Sequence, residues 1–460
     1  MKRVLFWILI MAVIVPSVWV FLFKFEGEKP SIDIVLPSVY LQKDYEFSVL
    51  AADNKNGLRK IVVSVMQQGK EKILLEKQNQ SASFLGLFPQ SAEINQSFVV
   101  PVDTQGYGMA DGEAVIRVMV SDFSWRGWNR GNIAYVEKPV VIDTKPPAVS
   151  VLSQHHNMER GGSALVIYKV FEDKITSGVL VGENFFPGHP GLFDDDHIHA
   201  AFFALDHTQG PGTPVRVVVR DLAGNTTKRD FYHFIRDKQF KKDTLNISQG
   251  FLENKIPGFD VGAMEQTFAT AKNPLLEKFL YINKTIRKNN VDLILSTPAV
   301  TENKKYWDGR FLRLTGSSRR AGFADQRTYN NGGRTIDHAV HLGIDLASTA
   351  NAPVKAANGG RVIFTQFVGI FGNTVMIDHG FGLTSLYSHL NQITVEKGTL
   401  VQQGDLIGYT GITGLAGGDH LHFSMIVHNV FVNPVEWWDD TWIENNITSK
   451  IDAVKQLQKQ

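Results

Sequence analysis

Two short polar motifs, about eighty residues apart, constrain this chain more than any other feature of its sequence. The first is His341-Leu-Gly-Ile-Asp345 and the second is His420-Leu-His422. Side chains two or four positions apart on a β-strand point to the same face of the strand. Two neighbouring strands therefore present His341, Asp345 and His422 to one point, and the pattern predicts a polar site on one face of a sheet.

The residue types in these motifs favour a metal site. Two imidazoles and one carboxylate are a ligand set that suits Zn²⁺, and three protein ligands leave a fourth position for water, as in catalytic zinc sites. A third motif, Tyr387-Ser-His389-Leu, supplies one more imidazole near the predicted centre. The chain contains no cysteine, which excludes thiolate zinc ligands, thiolate catalysis and disulfides.

Taken together, these motifs resemble the lysostaphin-type (LytM-like) zinc metallopeptidases, which cut peptide bonds in bacterial cell walls. The resemblance runs from about Gly322 to Trp438, roughly a quarter of the chain. It rests on five matches in the same order, namely the His-x-Gly-x-Asp motif at 341–345, Gly372–Gly380, Leu386–Leu390, the turns from Gly404 to Gly414, and Gly418–Phe423.

The resemblance implies roles for five residues. We expect His341, Asp345 and His422 to hold Zn²⁺, and His389 and His420 to be catalytic. His420 shares a strand face with His422 and is the candidate general base that deprotonates the attacking water. His389 is the candidate donor to the oxyanion of the tetrahedral intermediate, although the sequence leaves this division of labour open.

The resemblance also implies a substrate class and a rival function. The expected reaction is hydrolysis of peptide cross-links in peptidoglycan, with the D-Ala–diaminopimelate bond preferred and glycine bridges or protein substrates as alternatives. Some relatives keep the fold but lose ligands, and act as non-catalytic activators or scaffolds of wall hydrolases. The complete ligand set favours an enzyme here. The net charge of +1 gives no basic excess, so nucleic acid is excluded as a partner, and no motif indicates a protein partner.

The N-terminal segment, residues 1–29, contains an apolar run at about residues 4–23 that is long enough for one membrane-spanning helix. Lys2 and Arg3 precede the run, so the positive-inside rule favours a cytoplasmic N-terminus and a body on the periplasmic side. Residues 21–25 offer no small-x-small cleavage site, which favours a single-pass anchor in the cytoplasmic membrane over a cleaved signal peptide and a secreted form.

The rest of the chain is expected to be mainly β and to form several domains. Short alternating strands separated by turns predict two immunoglobulin-like β-sandwich modules, at 30–145 and 146–236, with Pro146-Pro147 at their boundary. The predicted strands are 31–36, 45–50, 60–65 and 114–120 in the first module, and 149–152, 164–170 and 215–219 in the second.

A helical connector is predicted at 237–310, before an antiparallel β-sheet peptidase domain at 311–440. Asn273 as helix cap, Pro274 in the first turn and an apolar stripe after them predict the main connector helix. The connector is either a structural hinge or a cover over the active site. A final helix is predicted at 441–460, with an apolar stripe that ends at Leu457.

Two further features leave alternatives open. Residues 194–199 form a second His-x-His beside three carboxylates, for which a solvated acidic loop is favoured over a metal site. Arg327 and Tyr329 either contact substrate or pack their loop.

Overall fold

A computed structural model describes residues 2–80 and 94–459 of the chain. The fold is mainly β, with several small sheets, a helical segment and a larger C-terminal sheet. The described chain divides into two compact units. The first comprises residues 1–146 with 220–226, and the second comprises 147–219 with 227–460.

The N-terminal element of the first unit is helix α1 (Lys2–Lys24). Its segment from Arg3 to Leu22 is long and apolar enough to cross a membrane, and none of that segment is buried. The predicted apolar helix is therefore confirmed as a helix. Its role as an anchor rather than a signal sequence stays a prediction.

The body of the first unit contains two sheets that share one apolar core. The strand orders are β1-β3-β6 and β2-β8-β7-β4-β5. Alternate side chains such as Phe47, Val63, Val100 and Val118 point into a common buried cluster, as the two-residue period of a strand requires. The four strands predicted here all overlap observed ones. The elements are β1 (Ser31–Val35), β2 (Tyr40–Leu41), β3 (Asp44–Ala52), β4 (Leu58–Gln67), β5 (Lys70–Gln78), β6 (Asn95–Asp103), β7 (Gly112–Asp122), α2 (Arg126–Asn129) and β8 (Ile133–Ile142).

Three buried carboxylates, those of Glu26, Asp53 and Asp122, come together in the first unit. The Asn132 amide donates to Glu26 Oε1 at 2.9 Å and to Asp122 Oδ2 at 2.8 Å, and the Gly57 N–H donates to Asp53 Oδ2 at 2.6 Å. Burial raises the pKa of Asp122 to about 6. The hydrogen bonds offset part of the cost of burying these groups and tie the segment after α1 to two loops of the sheets.

The second unit begins with strands that form three small sheets, ordered β14-β11-β9, β13-β12-β15-β16 and β10-β17. Strands β11 and β14 are buried along nearly their whole length, which explains their continuous apolar character. These strands are β9 (Val149–Val151), β10 (His156–Glu159), β11 (Ser163–Val170), β12 (Thr176–Val181), β13 (Asn184–Pro187), β14 (Ile198–Ala204), β15 (Val215–Arg220), β16 (Thr226–Asp230) and β17 (His233–Arg236).

The helical segment follows strand β18 (Lys242–Asn246). Asn273 is the N-cap of the predicted helix and Pro274 lies in its first turn, as expected, although the Asn273 side chain makes no capping hydrogen bond. The helix after Pro274 continues through a π-helical turn at Ile282–Ile286. The helices are α3 (Gln249–Lys255), α4 (Met264–Ala269), α5 (Pro274–Tyr281) and α6 (Arg287–Ser296), with 3-10 turns at Ile256–Gly258 and Thr297–Ala299.

The C-terminal part of the second unit is built on an eight-stranded sheet. Its strand order is β19-β22-β30-β26-β25-β24-β28, with β31 paired to β30, and two three-stranded sheets have the orders β18-β20-β21 and β23-β29-β27. The strands are β19 (Ser318–Ala321), β20 (Gln326–Asn331), β21 (Arg334–Val340), β22 (Ile344–Ala347), β23 (Pro353–Lys355), β24 (Gly360–Val368), β25 (Gly372–Asp378), β26 (Leu383–Leu390), β27 (Gln392–Ile393), β28 (Leu400–Val401), β29 (Leu406–Tyr409), β30 (Leu421–Val427) and β31 (Val430–Val432).

Three helices follow the last strand, namely α7 (Pro434–Trp437), α8 (Asp440–Ile443) and α9 (Ser449–Leu457), with a π-helical turn at Glu444–Thr448 between the last two. Ile443, Ile447 and Ile451 of the predicted apolar stripe are buried, whereas Leu457 is exposed. The stripe is therefore a packing face that ends before Leu457.

One apolar core joins all parts of the second unit. Trp437 is fully buried, and its ring lies 6.2 Å from Phe202 of β14, 5.6 Å from Trp307 and 5.5 Å from Phe311, measured between ring centroids. Strands β9 to β17 therefore pack directly on the C-terminal sheet and its helices, and the boundaries predicted at 236 and 310 stay predictions.

A buried carboxylate lies within this shared core. Glu436 Oε2 accepts hydrogen bonds from the Ser163 backbone N–H at 2.9 Å and from the Ser163 hydroxyl at 3.1 Å. Burial raises the pKa of Glu436 to about 8 despite these bonds. The folded chain therefore keeps a proton on Glu436 at neutral pH.

This proton makes stability depend on pH. The unfolded chain ionises Glu436 near its ordinary pKa of 4.5, whereas the folded chain holds the proton up to about 8. The free energy of unfolding should therefore fall as pH rises through that window, by at most about 1.4 kcal/mol per pH unit from this group. Glu436→Gln should flatten the slope in urea denaturation followed by tryptophan fluorescence. The exposed-site control Glu444→Gln should keep the slope, and equal slopes in all three proteins would refute this account.

Candidate metal centre

The pairing of β22 with β30 creates the centre. These strands are antiparallel, and Asp345 lies directly opposite His422. Residues opposite each other in an antiparallel pair present their side chains on the same face. The spacing predicted that His341 lies on the same strand as Asp345. His341 lies instead in the connection between β21 and β22. Its backbone N–H donates to the Asp325 carbonyl oxygen at 3.0 Å, which holds the connection in place.

The three side chains converge closely. His341 Nε2 lies 2.9 Å from Asp345 Oδ1 and 3.0 Å from His422 Nδ1, and His422 Nδ1 lies 2.9 Å from the same carboxylate oxygen. A Cβ atom at Gly343 would lie 2.6 Å from the His422 ring, so only glycine fits between the two first-motif ligands. The His-x-Gly-x-Asp spacing thus reflects a close approach of backbone to imidazole.

Hydrogen bonds fix which nitrogen of each ring faces the centre. His341 Nδ1 donates to the Gly322 carbonyl oxygen at 2.8 Å, which leaves a lone pair on Nε2. The Ser424 hydroxyl donates to the Leu342 carbonyl oxygen at 2.8 Å, so its oxygen accepts from His422 Nε2 at 3.1 Å. His422 therefore directs the lone pair of Nδ1 to the centre.

This donor set fits a zinc ion. Two imidazole lone pairs and a carboxylate oxygen about 3 Å apart repel one another unless a cation lies among them. Tetrahedral zinc makes bonds of about 2.0–2.2 Å to nitrogen and oxygen, which places its ligand atoms about 3.3 Å apart. His341, Asp345 and His422 thus form a buried metal-binding group close to that spacing.

The second oxygen of Asp345 has its own partner. Arg327 Nη2 donates to Asp345 Oδ2 at 3.0 Å. Burial alone would raise the pKa of Asp345, but when no cation is bound the neighbouring imidazoles of His341, His420 and His422 hold it well below its usual range by taking up protons themselves. Arg327 therefore orients a metal ligand. This role differs from both substrate contact and loop packing, the two roles that the sequence left open.

His420 and His389 lie beside the metal-binding group. Nε2 of His420 is 3.5 Å from Asp345 Oδ1, and the His389 and His420 ring centroids are 4.8 Å apart. Burial opposes charge on His420, but Asp345 outweighs it and raises the pKa of that ring. Burial and the charges of His420 and His422 lower the pKa of His389 well below its usual range.

The backbone orients both of these rings. His420 Nδ1 donates to the Gly418 carbonyl oxygen at 2.8 Å, and His389 Nδ1 donates to the Thr413 carbonyl oxygen at 2.9 Å. The Thr413 hydroxyl in turn donates to the Leu390 carbonyl oxygen at 2.8 Å, and Asn373 donates to the same oxygen at 3.0 Å. Each ring consequently keeps Nε2 available. Asn373 supports the Thr413 turn through hydrogen bonds.

A cleft of about 640 Å³ opens over the centre. Its walls include the five residues of the sequence motifs and also Phe251, Lys255, Phe279 and Arg287 from the helical segment. Motif reading missed these four because they lie outside the resemblance. Only the predicted cover over the active site pointed towards this segment.

Tyr329 also lines the cleft, although its side chain is largely buried, and its ring centroid lies 5.7 Å from that of Phe279. The predicted acidic loop lies away from the centre. Within 194–199, Asp195 pairs with Lys169 at 2.8 Å and His199 Nδ1 is 2.9 Å from the Ser177 hydroxyl. Two groups of three metal-ligating side chains converge among residues 2–80 and 94–459. One consists of His341, Asp345 and His422, and the other of Glu26, Asp53 and Asp122.

Comparisons with known proteins concern the same part of the chain. Residues 339–434 match the model of Peptidase family M23. The DD-carboxypeptidase/endopeptidase Mpg of Neisseria meningitidis is 40% identical over 96 residues, which cover 21% of this chain and 22% of Mpg. The peptidoglycan DD-endopeptidase ShyB of Vibrio cholerae is 37% identical over 109 residues, covering 24% of this chain and 25% of ShyB. The chain thus spans about a quarter of the length of these curated relatives.

One solved structure matches a similar share of this chain. The catalytic domain of lysostaphin from Staphylococcus simulans is 26% identical, with a TM-score of 0.23, over 26% of this chain and 92% of that domain.

Removal of a ligand should abolish metal binding. We expect about one zinc ion per chain in the purified protein, and a small fraction of that in His422→Ala and in Asp345→Asn, because two ligands hold zinc poorly. Metal content is measured by mass spectrometry of the elements after dialysis. His338→Ala removes an exposed histidine outside the centre and should keep the full zinc content. Stoichiometric zinc in either ligand variant would contradict the assignment.

Proposed function

We propose that the chain is a zinc-dependent endopeptidase that hydrolyses peptide cross-links of bacterial peptidoglycan, because residues 339–434 match the model of Peptidase family M23. The observation that carries the proposal is the buried group of His341, Asp345 and His422 at the base of a cleft, with two further histidines beside it. The names of the relatives, which are DD-endopeptidases, support a bond between D-Ala and the cross-linking residue as the target.

The ligands would hold Zn²⁺, and Arg327 would keep the Asp345 carboxylate in its binding orientation through the bond to Oδ2. A bound zinc ion supplies Lewis acidity, which polarises the scissile carbonyl and acidifies the attacking water. The walls of the cleft position the substrate peptide and limit the access of other water.

His389 and His420 are proposed as the catalytic pair. Both rings use Nδ1–H for a backbone carbonyl, so in the neutral form each offers the lone pair of Nε2 to the site. A neutral ring at either position accepts the proton of the attacking water, and donates to the oxyanion only once it holds a second proton. Burial disfavours that second proton on His389, whereas Asp345 favours it on His420. This supports His420 as the ring that accepts and carries the proton of the attacking water, and His389 as a neutral ring that orients this water through the lone pair of Nε2.

The remaining assignments of the chain follow as proposals. Residues 311–440 would form the peptidase domain, 237–310 the connector, and 30–145 and 146–236 two immunoglobulin-like sandwich modules that position the enzyme. Helix α1 would anchor the protein in the cytoplasmic membrane with its body on the periplasmic side, within reach of peptidoglycan.

Digestion of purified sacculi tests this function. The full-length chain in detergent is added to diaminopimelate-type sacculi, and the released muropeptides are weighed by mass spectrometry. We expect cross-linked dimers to disappear, the reaction to stop with chelator and to return with added zinc. His389→Ala and His420→Ala should each lower the rate at least about 100-fold, because proton transfer contributes that much, without loss of bound zinc.

His338→Ala is the matched control and should digest at the wild-type rate. Unchanged dimers in a preparation with a full complement of zinc would reject the endopeptidase. If addition of the protein then stimulated a separate wall hydrolase, the chain would be a non-catalytic activator instead.

A further inference from the structure

The walls of the cleft carry more positive than negative charge. Its basic lining residues are Lys255, Arg287 and Arg327, and Asp345 is the one carboxylate among the described residues of the lining. Asp345 already serves both the metal-binding group and Arg327. Asp345 is therefore not available to neutralise the charges of Lys255 and Arg287.

Arg287, the first residue of α6, has only neutral partners. Its Nη2 donates to Asn283 Oδ1 at 2.6 Å, and its Nε lies 3.2 Å from both Oδ1 and the carbonyl oxygen of Asn283. Across residues 2–80 and 94–459, no carboxylate oxygen lies within 4.0 Å of its guanidinium, and Nη1 has no hydrogen-bond acceptor. Asp337 lies one step further away, where it accepts from the Asn283 amide at 2.8 Å.

Lys255, the last residue of α3, is in a similar position. Its Nζ donates to the Ile412 carbonyl oxygen at 2.7 Å, and within the described part of the chain it has no carboxylate partner. Burial lowers the pKa of Lys255, and burial together with the charge of Arg327 lowers that of Arg287. Both charges are thus held at a cost that a bound anion would reduce.

The rest of this wall is uncharged. Leu245, Phe251 and Phe279 line the cleft on the side of the helical segment, and Phe371 lines it on the side of the sheet. Two cations in these uncharged surroundings favour an anion, and the aliphatic and aromatic side chains beside them suit a carboxylate on an aliphatic chain.

We propose that Lys255 and Arg287 form a carboxylate-binding subsite, which selects cross-links whose diamino acid carries a free carboxylate beside the amine that was acylated. The subsite rests on the proposed peptidase function and names the substrate of the same cleft. A diamino dicarboxylic acid meets this requirement and lysine does not. The helical segment is then the specificity wall of the enzyme, and it supplies residues that lie outside the matched segment 339–434.

Binding to a hydrolysis-deficient protein tests the subsite. The probe is a synthetic cross-linked peptide with diaminopimelate at the link, prepared with both carboxylates free, with the diaminopimelate carboxylate amidated, or with the C-terminal carboxylate amidated. Calorimetry uses the zinc-loaded full-length chain carrying His420→Ala. We expect amidation of diaminopimelate to weaken binding at least about tenfold, as loss of a charge-assisted hydrogen bond does, and amidation of the C-terminus to change it little.

Variants assign the effect to the two side chains. Arg287→Gln and Lys255→Gln should each weaken binding of the free peptide to near the level of the diaminopimelate amide, and leave the affinity for that amide unchanged. Arg287→Lys keeps the charge and should retain part of the discrimination, which separates recognition from a folding defect. Lys288→Gln is the matched control on the same helix, because Lys288 is exposed and pairs with Asp292, and it should bind like the parent protein.

Equal affinity for the free peptide and the diaminopimelate amide would overturn the subsite, and so would a loss only on amidation of the C-terminus. Variants that weaken all three peptides equally would also overturn it, since they would show a structural role. If discrimination is present but the wild-type chain leaves the peptides intact, the subsite stands and the proposed endopeptidase fails.

Discussion

The register of β22 against β30 is the constraint on which the functional part of this molecule depends. It places Asp345 opposite His422, so a carboxylate and an imidazole share one face of the sheet. A slip of one residue would turn either side chain to the opposite face. Strand β26 pairs with β30 on its other side, with Ser388 opposite His422, and so brings His389 to the same region. The buried core beneath these strands fixes the register.

The strand register brings the ligands together, and electrostatic repulsion between them favours a cation at their centre. Three lone pairs directed at one point in a buried site are unfavourable without a cation, and each imidazole is held in that orientation by a hydrogen bond on its other nitrogen. The wall formed by the helical segment has the opposite requirement, because its unpaired charges are positive. There, Lys255 and Arg287 are charged groups with neutral partners, and they favour an anion. In the proposed enzyme, the metal centre would act on the peptide bond and the cationic wall would bind a carboxylate of the same substrate.

Local patterns in the sequence were enough to predict much of this arrangement. Two-residue alternation identified strands such as β3, β7 and β15, because alternation reports directly on which face of a strand is buried. The motif residues could be assigned together because their chemistry and order resemble those of a known family. The same reasoning misplaced His341, since spacing alone does not distinguish a residue on a strand from one in the connection before it. The close approach at Gly343, which makes that connection necessary, is visible only in three dimensions.

Long-range packing explains what the sequence could not provide. Phe251 and Arg287 reach the cleft because the helical segment packs beside it, and no local period encodes that placement. The grouping of Glu26 with Asp53 and Asp122 joins residues far apart in the chain, none of them in a recognisable motif. The buried Glu436 likewise depends on contact between Ser163 and a helix more than 270 residues later.

Zinc-edge X-ray absorption on the zinc-loaded full-length chain tests the central claim most directly. The account predicts two imidazole ligands and oxygen ligands at about 2.0–2.2 Å, and a zinc signal that falls to a small fraction in dialysed His422→Ala. A first shell of oxygen alone, or a spectrum unchanged by His422→Ala, would contradict the assignment of the metal centre.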